Sequence, residues 1–309
     1  MCYIIYMSSQ QTVVKTALPL PLFIRGKVRD TYNLDNRLLI VATDRISVFD
    51  VILNEGIPDK GRVLNLISAF WFEKTKHLID NHLIEVVSAG TLDKYVPAKS
   101  KTPYPAYLTG RSMVVKKAQR ISLEWVMRGY LSGSAWEEYQ NSGTISGMKM
   151  PAGLKESQEL PEVLFTPTTK ADTGHDMPIT MNDVRGIVGE SLTREMQEKS
   201  LSVYDFALEH ARTRGIIIAD TKMEFGLEDG KLILIDELLT PDSSRFWDVD
   251  KYKVGRSQPS FDKQPVRDWT AATGWNKEPP PPSLSPEVIE ATTARYREAY
   301  RRITGDELR

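Results

Sequence analysis

Residues 216–237 read IIIADTKMEFGLEDGKLILIDE, two apolar β-rich runs joined by Asp229-Gly230. An Asp-Gly pair between such runs is a strong signal for a β-hairpin. Because side chains alternate between the faces of a strand, Asp220, Lys222 and Glu224 lie on one face of the first strand. Ionisable groups among apolar residues are costly to bury unless they are paired or bound to a ligand. We therefore expect a site on this face of the hairpin.

The second strand of the hairpin ends in two more carboxylates, Asp236 and Glu237. A two-residue turn places Glu237 on the face of Glu224, opposite Lys222, whereas a three-residue turn places Asp236 directly opposite Glu224. In both registers two carboxylates come within reach of one cation, and Mg²⁺ prefers such hard oxygen ligands together with substrate phosphates. The hairpin therefore predicts a magnesium site, with a solvated ladder of charged strand residues as the alternative.

The turn that follows, TPDSSRFW (240–247), combines a carboxylate, two hydroxyls and a guanidinium: Asp242, Ser243, Ser244 and Arg245. Hydroxyls beside an arginine suit a phosphate or carboxylate ligand, because the guanidinium binds such anions with two hydrogen bonds. The alternative is a plain turn in which Asp242 caps backbone amides.

The composition excludes several classes of protein. The chain has 309 residues, 41% of them hydrophobic, and 40 basic against 41 acidic side chains, so it has no electrostatic footprint for nucleic acid. A single cysteine, Cys2, and four scattered histidines argue against disulfides and cysteine- or histidine-based metal centres. The start MCYIIYM is short and lacks a basic segment, so we expect neither a secretory signal nor a membrane span, and a cytoplasmic setting.

The order of elements indicates an α+β fold. Residues 22–53 read as a β-meander, and helical periodicity or caps predict helices from about 60 to 78, 192 to 214 and 286 to 304. We expect Asp59 to cap the first of these helices. The Pro- and Gly-rich stretch 147–179 reads as a long loop. Antiparallel hairpins with segregated helices define the α+β class.

Four other stretches place charged or polar residues at the ends of β-elements. They are FIRGKVRDTY (23–32), ATDRISVFD (42–50) with PDKG (58–61), VMRGYLSGSAWEEY (126–139) and FTPTTKADTGHD (165–176). Each stretch also has a purely structural explanation: a solvated hairpin tip, a helix cap, a solvated helix face or a loop histidine without a functional role. Together they fit a cleft that binds phosphates, carboxylates and Mg²⁺.

Eight ordered motifs between Arg25 and Trp269 resemble the SAICAR synthetases, the phosphoribosylaminoimidazole-succinocarboxamide synthases of purine biosynthesis, in their longer form. They are GKVRDTY, ATDRISVFD, PDKGRVLNLISAFWF, VMRGYLSGSAW, FTPTTKADTGHD, ADTKMEFG, DELLTPDSSRFW and KQPVRDW. The resemblance implies a two-lobed α+β fold related to ATP-grasp, with antiparallel sheets and flanking helices. It also implies ATP-dependent ligation of L-aspartate to the carboxylate of an imidazole ribonucleotide, with Mg²⁺ as the cofactor.

The resemblance also implies roles for individual residues. ATP would be bound by Gly26, Lys27, Val28, Arg29, Lys116, Glu224 and Asp236. The catalytic set would be Lys222, Glu224 and Asp236. Glu224 and Asp236 would hold the metal, which favours the three-residue turn. The substrates would be bound by Asp44, Arg45, Ser47, Lys60, Arg128, Ser134, Lys170, Asp172, His175, Asp176, Lys222, Asp242, Ser243, Ser244 and Arg245.

We expect three parts of the chain: a β-rich lobe with the phosphate-covering hairpin (1–115), a central lobe with the metal and substrate site (116–262), and a proline strap and helix that pack on the body (263–309). The expected partners are ATP, L-aspartate and the imidazole carboxylate ribonucleotide, with neither nucleic acid nor membrane. The competing hypotheses are another ATP-dependent carboxylate–amine ligase or small-molecule kinase on this scaffold, and a non-catalytic nucleotide-binding module.

Overall fold

The computed structural model describes residues 12–96, 104–170 and 177–308. Its strands are β1 (Leu22–Arg25), β2 (Arg29–Leu34), β3 (Arg37–Ala42), β4 (Arg45–Val48), β5 (Val51–Gly56), β6 (Leu83–Val86), β7 (Ser112–Lys116), β8 (Gln119–Arg120), β9 (Leu123–Tyr130), β10 (Thr144–Ile145), β11 (Met148–Lys149), β12 (Glu159–Phe165), β13 (Thr168–Thr169), β14 (Ile216–Glu228), β15 (Lys231–Ile235) and β16 (Ser244–Asp248). Its helices are α1 (Lys60–Thr75), α2 (Ser134–Ser142), α3 (Met181–Val188), α4 (Glu190–Thr213), α5 (Gln264–Ala272) and α6 (Pro286–Thr304). The α+β class predicted from the sequence is confirmed.

The first sheet has five antiparallel strands in the order β1-β2-β3-β7-β6. The predicted meander is confirmed for its first three strands, whereas β4 and β5 pair with each other as a separate hairpin. The turn between β1 and β2 carries Gly26, Lys27 and Val28, and Arg29 begins β2. This sheet therefore presents the GKVR turn at one end.

The second sheet is organised around β14, which is thirteen residues long and largely buried. Along its length β14 pairs with β9 and β16, and then with β15 and β8. Asp220 of β14 lies directly between Arg128 of β9 and Arg245 of β16. The register thus places two arginines from neighbouring strands on either side of one aspartate.

The hairpin of β14 and β15 has the two-residue turn. Glu228 pairs with Lys231 and Glu224 with Ile235, so the three-residue turn favoured by the family resemblance is wrong. The reason is the turn itself: Asp229 and Gly230 both have positive φ, 50° and 80°, as a two-residue hairpin turn of the commonest kind requires.

The long helices lie close to where the periodicity predicts them. Helix α4 ends before Gly215, whose φ of 72° suits a glycine that stops a helix. Ser285 caps α6 by accepting a hydrogen bond from the Val288 amide, and Gly305 (φ 83°) follows its end. Both helices pack their apolar faces into the main core, which also contains Trp71 of α1.

Two local expectations are wrong. Asp59 does not cap α1 with its side chain: it has a left-handed backbone (φ 63°), and its carboxylate pairs with Arg62 and Arg297 instead. The stretch 147–179 is not a simple loop in its described part, because β12 pairs with β9 and β13 pairs with β9 as well. The Pro and Gly residues of this stretch obscured the strands in the sequence, because these strands are short and only partly buried.

The C-terminal elements pack on the body of the protein. Helix α6 contacts α1 and α5, and the Leu284 amide donates a 3.1 Å hydrogen bond to Glu55. Among the described residues, none of the helices combines the length and apolarity that crossing a bilayer requires. The three-part division at residues 115 and 262 stays a prediction.

Candidate functional site

Two carboxylates, one buried and one partly buried, lie close together on the hairpin of β14 and β15. Glu224 is 4% exposed, and Asp236 is the first residue after β15, where a left-handed backbone (φ 66°) turns it out of the strand. This turn brings Asp236 within hydrogen-bonding reach of Glu224 although the strand register alone does not pair them. The sequence prediction that these two residues lie together is therefore correct for a reason other than the predicted register.

The environment pushes the pKa values of this pair apart. Burial raises the pKa of Glu224, and the charge of Asp236 raises it further. Burial alone would also raise the pKa of Asp236, but the nearby charges of Arg29 and Lys170 hold it below its ordinary value. A proton or a cation shared by the two carboxylates removes the repulsion between them.

Basic side chains surround the carboxylates. Arg29 lies 2.6 Å from Asp236 and 3.2 Å from Glu237, and Lys170 contacts Glu224. Because Arg29 belongs to the first sheet and Asp236 to the second, this ion pair joins the GKVR turn to the carboxylate pair. We call the four carboxylates of Glu124, Glu224, Asp236 and Glu237 the acidic cluster.

Lys222 also pairs with the acidic cluster. Its ammonium lies 2.8 Å from Glu124 of β9, and this carboxylate outweighs burial to raise the pKa of Lys222 to about 12. Among the residues that the structure describes, these four carboxylates pair with three cations: Arg29, Lys170 and Lys222. A region with this balance attracts a further cation. No group of three or more His, Cys, Asp or Glu placed for a metal ion occurs in residues 12–96, 104–170 and 177–308.

A second cluster, next to the acidic cluster, has more cations than carboxylates. Arg128 lies 2.9 Å from Asp220, and Arg245 contacts the same carboxylate oxygen. Arg128 also donates hydrogen bonds to Ser134 (3.2 Å) and Thr166 (2.9 Å). Burial lowers the pKa of Arg128, and Arg245 lowers it further. We call Arg128, Asp220 and Arg245 the arginine pair site; two guanidiniums share one carboxylate there, which leaves a positive charge for an anionic ligand.

The side chain of Arg45 holds the backbone of the GKVR turn in place. Its guanidinium donates 2.9 Å hydrogen bonds to the carbonyl oxygens of Gly26 and Lys27 and pairs with Asp30 at 2.8 Å. The Val28 carbonyl accepts two further hydrogen bonds from Thr43. Arg45 therefore fixes the backbone of the turn, while the Lys27 side chain stays more than half exposed and pairs with Asp50 at 2.5 Å.

Several other predicted ligand residues already have protein partners. Asp44 accepts hydrogen bonds from the amides of Val13 and Gly61 and pairs with Arg111 at 2.9 Å. The buried ammonium of Lys60 lies 2.7 Å from Asp242. These contacts show what the side chains do within the protein, and their roles toward substrates stay predictions.

The remaining predicted residues that the structure describes are spread over several elements. Ser243 hydrogen-bonds within its own turn, and Ser244 lies 2.8 Å from the Thr221 hydroxyl. Ser47 lies on β4, and Lys116, at the end of β7, pairs with Glu228 at 2.8 Å. Asp172, His175 and Asp176 lie outside the described residues.

Sequence reasoning missed three residues that support the site. Glu124 is buried in the apolar strand β9, where a lone carboxylate is the only signal. His82 lies behind Asp236; burial lowers its pKa to about 4, so its ring is neutral at pH 7. Tyr296, buried on α6, donates a 2.5 Å hydrogen bond to Asp242, and a tyrosine on an amphipathic helix gave no signal at all.

Fold and site together define an α+β protein in which a cation-attracting acidic cluster lies beside an anion-attracting arginine pair. The family model described as SAICAR synthetase matches residues 22–282. The chain belongs to the SAICAR synthetase family.

Named relatives are similar in sequence to this protein over nearly the whole length of its chain. The phosphoribosylaminoimidazole-succinocarboxamide synthases of Thermodesulfovibrio yellowstonii and Elusimicrobium minutum are 51% and 50% identical, over 91% and 92% of this chain and 94% and 96% of theirs. The SAICAR synthase of Saccharomyces cerevisiae, solved as a complex with SAICAR, is 45% identical with a TM-score of 0.88, covering 96% of this chain and 99% of that one. A type-2 SAICAR synthetase in complex with ADP, 24% identical over 93% of this chain and 99% of its own, shares the fold with a TM-score of 0.67.

Gly133→Ala tests the packing of the arginine pair site. Gly133 precedes α2 with φ 57°, and a Cβ there would lie 2.1 Å from Arg245 Nη2. Gly189 is a matched control, because it precedes α4 with φ 87° and a Cβ there would meet nothing within 4 Å. Both variants should lose about 1–3 kcal/mol of unfolding free energy from backbone strain, measured by urea denaturation.

Only Gly133→Ala should displace Arg245, so only this variant should also lose affinity for inorganic phosphate, by about fivefold or more in calorimetric titration. Equal phosphate affinities for the two variants would contradict the placement of Arg245 against Gly133.

Proposed function

We propose that the protein catalyses the ATP-dependent ligation of L-aspartate to the carboxylate of 5-amino-1-(5-phosphoribosyl)imidazole-4-carboxylate, giving SAICAR, ADP and phosphate. Membership of the SAICAR synthetase family and the named relatives support this reaction. The observation that carries the proposal is the contact of Arg29 with Asp236, which joins the GKVR turn to the carboxylate pair of Glu224 and Asp236. Nucleotide phosphates, a cation and an anionic acceptor then have adjacent places in one site.

The chemistry requires activation of the acceptor carboxylate, because a carboxylate offers an amine no adequate leaving group. An acceptor oxygen attacks the γ-phosphorus of ATP, the bond to the β–γ bridging oxygen breaks, and ADP leaves. The aspartate nitrogen then attacks the carbonyl carbon of the acyl phosphate. Inorganic phosphate leaves with the carbon–oxygen bonding pair, and the nitrogen gives up a proton. Catalysis of such transfers is mostly positioning and charge stabilisation.

The acidic cluster fits a divalent cation. Glu224 and Asp236 lie close together, their mutual repulsion is relieved by a shared cation, and carboxylate oxygens are the ligands that Mg²⁺ prefers. Glu224 and Asp236 would hold this ion, and two carboxylates are a typical number for a magnesium ion that also binds phosphates. When bound, Mg²⁺ neutralises charge on the phosphate chain and on the transferred group.

Side chains of this protein would bind the nucleotide. The GKVR turn, fixed by Arg45, covers the phosphates with its amides and with the exposed Lys27. Lys116 and its strand line the adenine side. Lys170 and Lys222, which already neutralise the acidic cluster, lower the charge of the transferred group.

The arginine pair site would bind the imidazole ribonucleotide. Arg128 and Arg245 with the Ser134 hydroxyl offer several donors to its phosphate or carboxylate, and the surplus charge favours an anion. We assign Lys60 and Asp242 to the support of this site and Asp44 and Arg45 to the support of the first sheet and its GKVR turn, because their charges are met by protein partners. The remaining substrate contacts would come from Ser47, Ser243, Ser244, Asp172, His175 and Asp176.

The setting follows from the substrates. Small anionic substrates require neither a nucleic acid nor a membrane partner, and the formal net charge of −1 gives the chain no overall basic bias toward either. We place the reaction in the cytoplasm.

Substrate omission tests the proposed reaction and separates it from its rivals. Purified protein with ATP and Mg²⁺ should release inorganic phosphate over many turnovers only when both the imidazole carboxylate nucleotide and L-aspartate are present, and mass spectrometry should detect SAICAR. Many turnovers with one substrate alone, giving a stable phosphorylated product, would identify a kinase. Nucleotide binding without turnover in the complete mixture would identify a binding module and overturn the proposal.

Glu224→Gln tests the metal assignment. The substitution keeps the size of the side chain and removes one anionic ligand, so turnover should fall by about 100-fold or more because charge stabilisation of this kind is worth several kcal/mol. Glu162→Gln on β12 makes the same change at an exposed strand position and should be as active as the unchanged protein. Steady-state rates are measured across a magnesium titration, with circular dichroism to compare folding. Near-normal turnover of Glu224→Gln at saturating Mg²⁺ counts against the assignment.

A further inference from the structure

The last helix of the chain reaches the site loop. Tyr296 of α6 is fully buried, and its hydroxyl donates a 2.5 Å hydrogen bond to Asp242 Oδ1. The other carboxylate oxygen, Oδ2, lies 2.7 Å from the ammonium of Lys60 on α1. Asp242 is thus held from two sides, by the helix that begins near residue 60 and by the helix that ends near residue 304.

Asp242 belongs to the turn that leads into β16. Within this turn the Asp242 amide donates to the Thr240 hydroxyl at 3.2 Å, and the Ser243 amide donates to the Thr240 carbonyl at 3.2 Å. The Ser243 carbonyl accepts a 2.9 Å hydrogen bond from the Lys222 amide. Arg245 follows two residues later. Asp242 thus lies in the turn that leads directly into the strand carrying Arg245.

The chemistry of the anchor suits a neutral donor. Lys60 pairs with Asp242, and the nearby Lys263 adds a second positive charge, so a further cation on Oδ1 would leave excess positive charge in a buried place. A hydroxyl satisfies the second oxygen without adding charge. Burial raises the pKa of Tyr296 well above its ordinary value, and the adjacent Asp242 raises it further, so the hydroxyl keeps its proton and remains a donor.

Tyr296 is separable from the docking of α6. Arg297 pairs with Asp59 (2.9 Å for Nε), Arg295 contacts the Ser260 carbonyl, and Arg302 pairs with Asp248 at 3.4 Å. Removal of one hydroxyl leaves these contacts and the packing of the ring in place.

We propose that Tyr296 is a positioning residue for binding of the imidazole ribonucleotide: its hydrogen bond to Asp242 holds the turn that presents Arg245 beside Arg128. This inference rests on the proposed function and adds to the site a residue from the C-terminal helix. The GKVR turn contacts the other side of the site, through Arg29 and Asp236. Loss of the Tyr296 hydroxyl therefore affects one substrate and spares the other.

Tyr296→Phe is the test, with Tyr300→Phe as its matched control. Tyr300 lies one turn further along α6, and its hydroxyl makes no hydrogen bond with the residues that the structure describes. Tyr296→Phe should raise the KM for the imidazole ribonucleotide about tenfold, because a hydrogen bond to a charged group is lost. Its KM for ATP should stay within about twofold, and Tyr300→Phe should leave both constants unchanged.

A double-mutant cycle separates positioning from a general loss of structure. If Tyr296 acts through Asp242, Asp242→Ala combined with Tyr296→Phe raises this KM no further than Asp242→Ala alone, because alanine removes the acceptor of the Tyr296 hydroxyl. Additive effects, equal rises in the KM for both substrates, or no change in Tyr296→Phe would overturn the inference while the activity of the unchanged protein upholds the proposed function. An inactive unchanged protein would overturn both.

Discussion

Repulsion between the buried carboxylate of Glu224 and the partly buried carboxylate of Asp236 is the constraint around which this site is built. Glu224 and Asp236 cannot both be charged at low cost unless positive charge lies beside them. The protein supplies it from distant parts of the chain: Arg29 from the first sheet and Lys170 from the segment after β13. The same requirement makes the pair a receptor for a divalent cation, so the feature that stabilises the protein's own structure also prepares the proposed chemistry.

A single strand sets the distance between the two halves of the site. Asp220, Lys222 and Glu224 share one face of β14, so the arginine pair site and the acidic cluster are separated by four residues of strand, about 13 Å along the backbone. Cations exceed carboxylates at the first end, and carboxylates exceed cations at the other. Because β14 is extended and largely buried, it holds these two oppositely charged groups of side chains apart. Each group therefore keeps an excess charge that a bound ligand can neutralise.

Much of this could be read from the sequence, because local rules govern it. The Asp-Gly turn fixes the hairpin, and the two-residue period of a strand groups Asp220, Lys222 and Glu224. Strand pairing alone did not predict that Glu224 lies near Asp236, because their proximity depends on the left-handed backbone of Asp236. A non-glycine residue in this conformation leaves no clear mark in the sequence.

Charged motif residues were the other limit of prediction. Arg45 and Asp44 stand in a motif that looks like a ligand site. Within the protein, however, Arg45 binds backbone carbonyls and Asp30, and Asp44 binds backbone amides and Arg111. A sequence does not distinguish a charge that binds a ligand from one that braces the loop beside it. Tyr296 illustrates the converse case, since helical periodicity explains its burial fully and hides its hydrogen bond to Asp242.

The most direct test of the central claim is the position of a bound divalent cation. Crystals grown with ADP and Mn²⁺, a substitute for Mg²⁺ with a strong anomalous signal, should give an anomalous peak about 2.0–2.3 Å from carboxylate oxygens of both Glu224 and Asp236. A fully occupied cation held by the nucleotide elsewhere, with Glu224 and Asp236 still paired only to Lys170 and Arg29, would contradict the account.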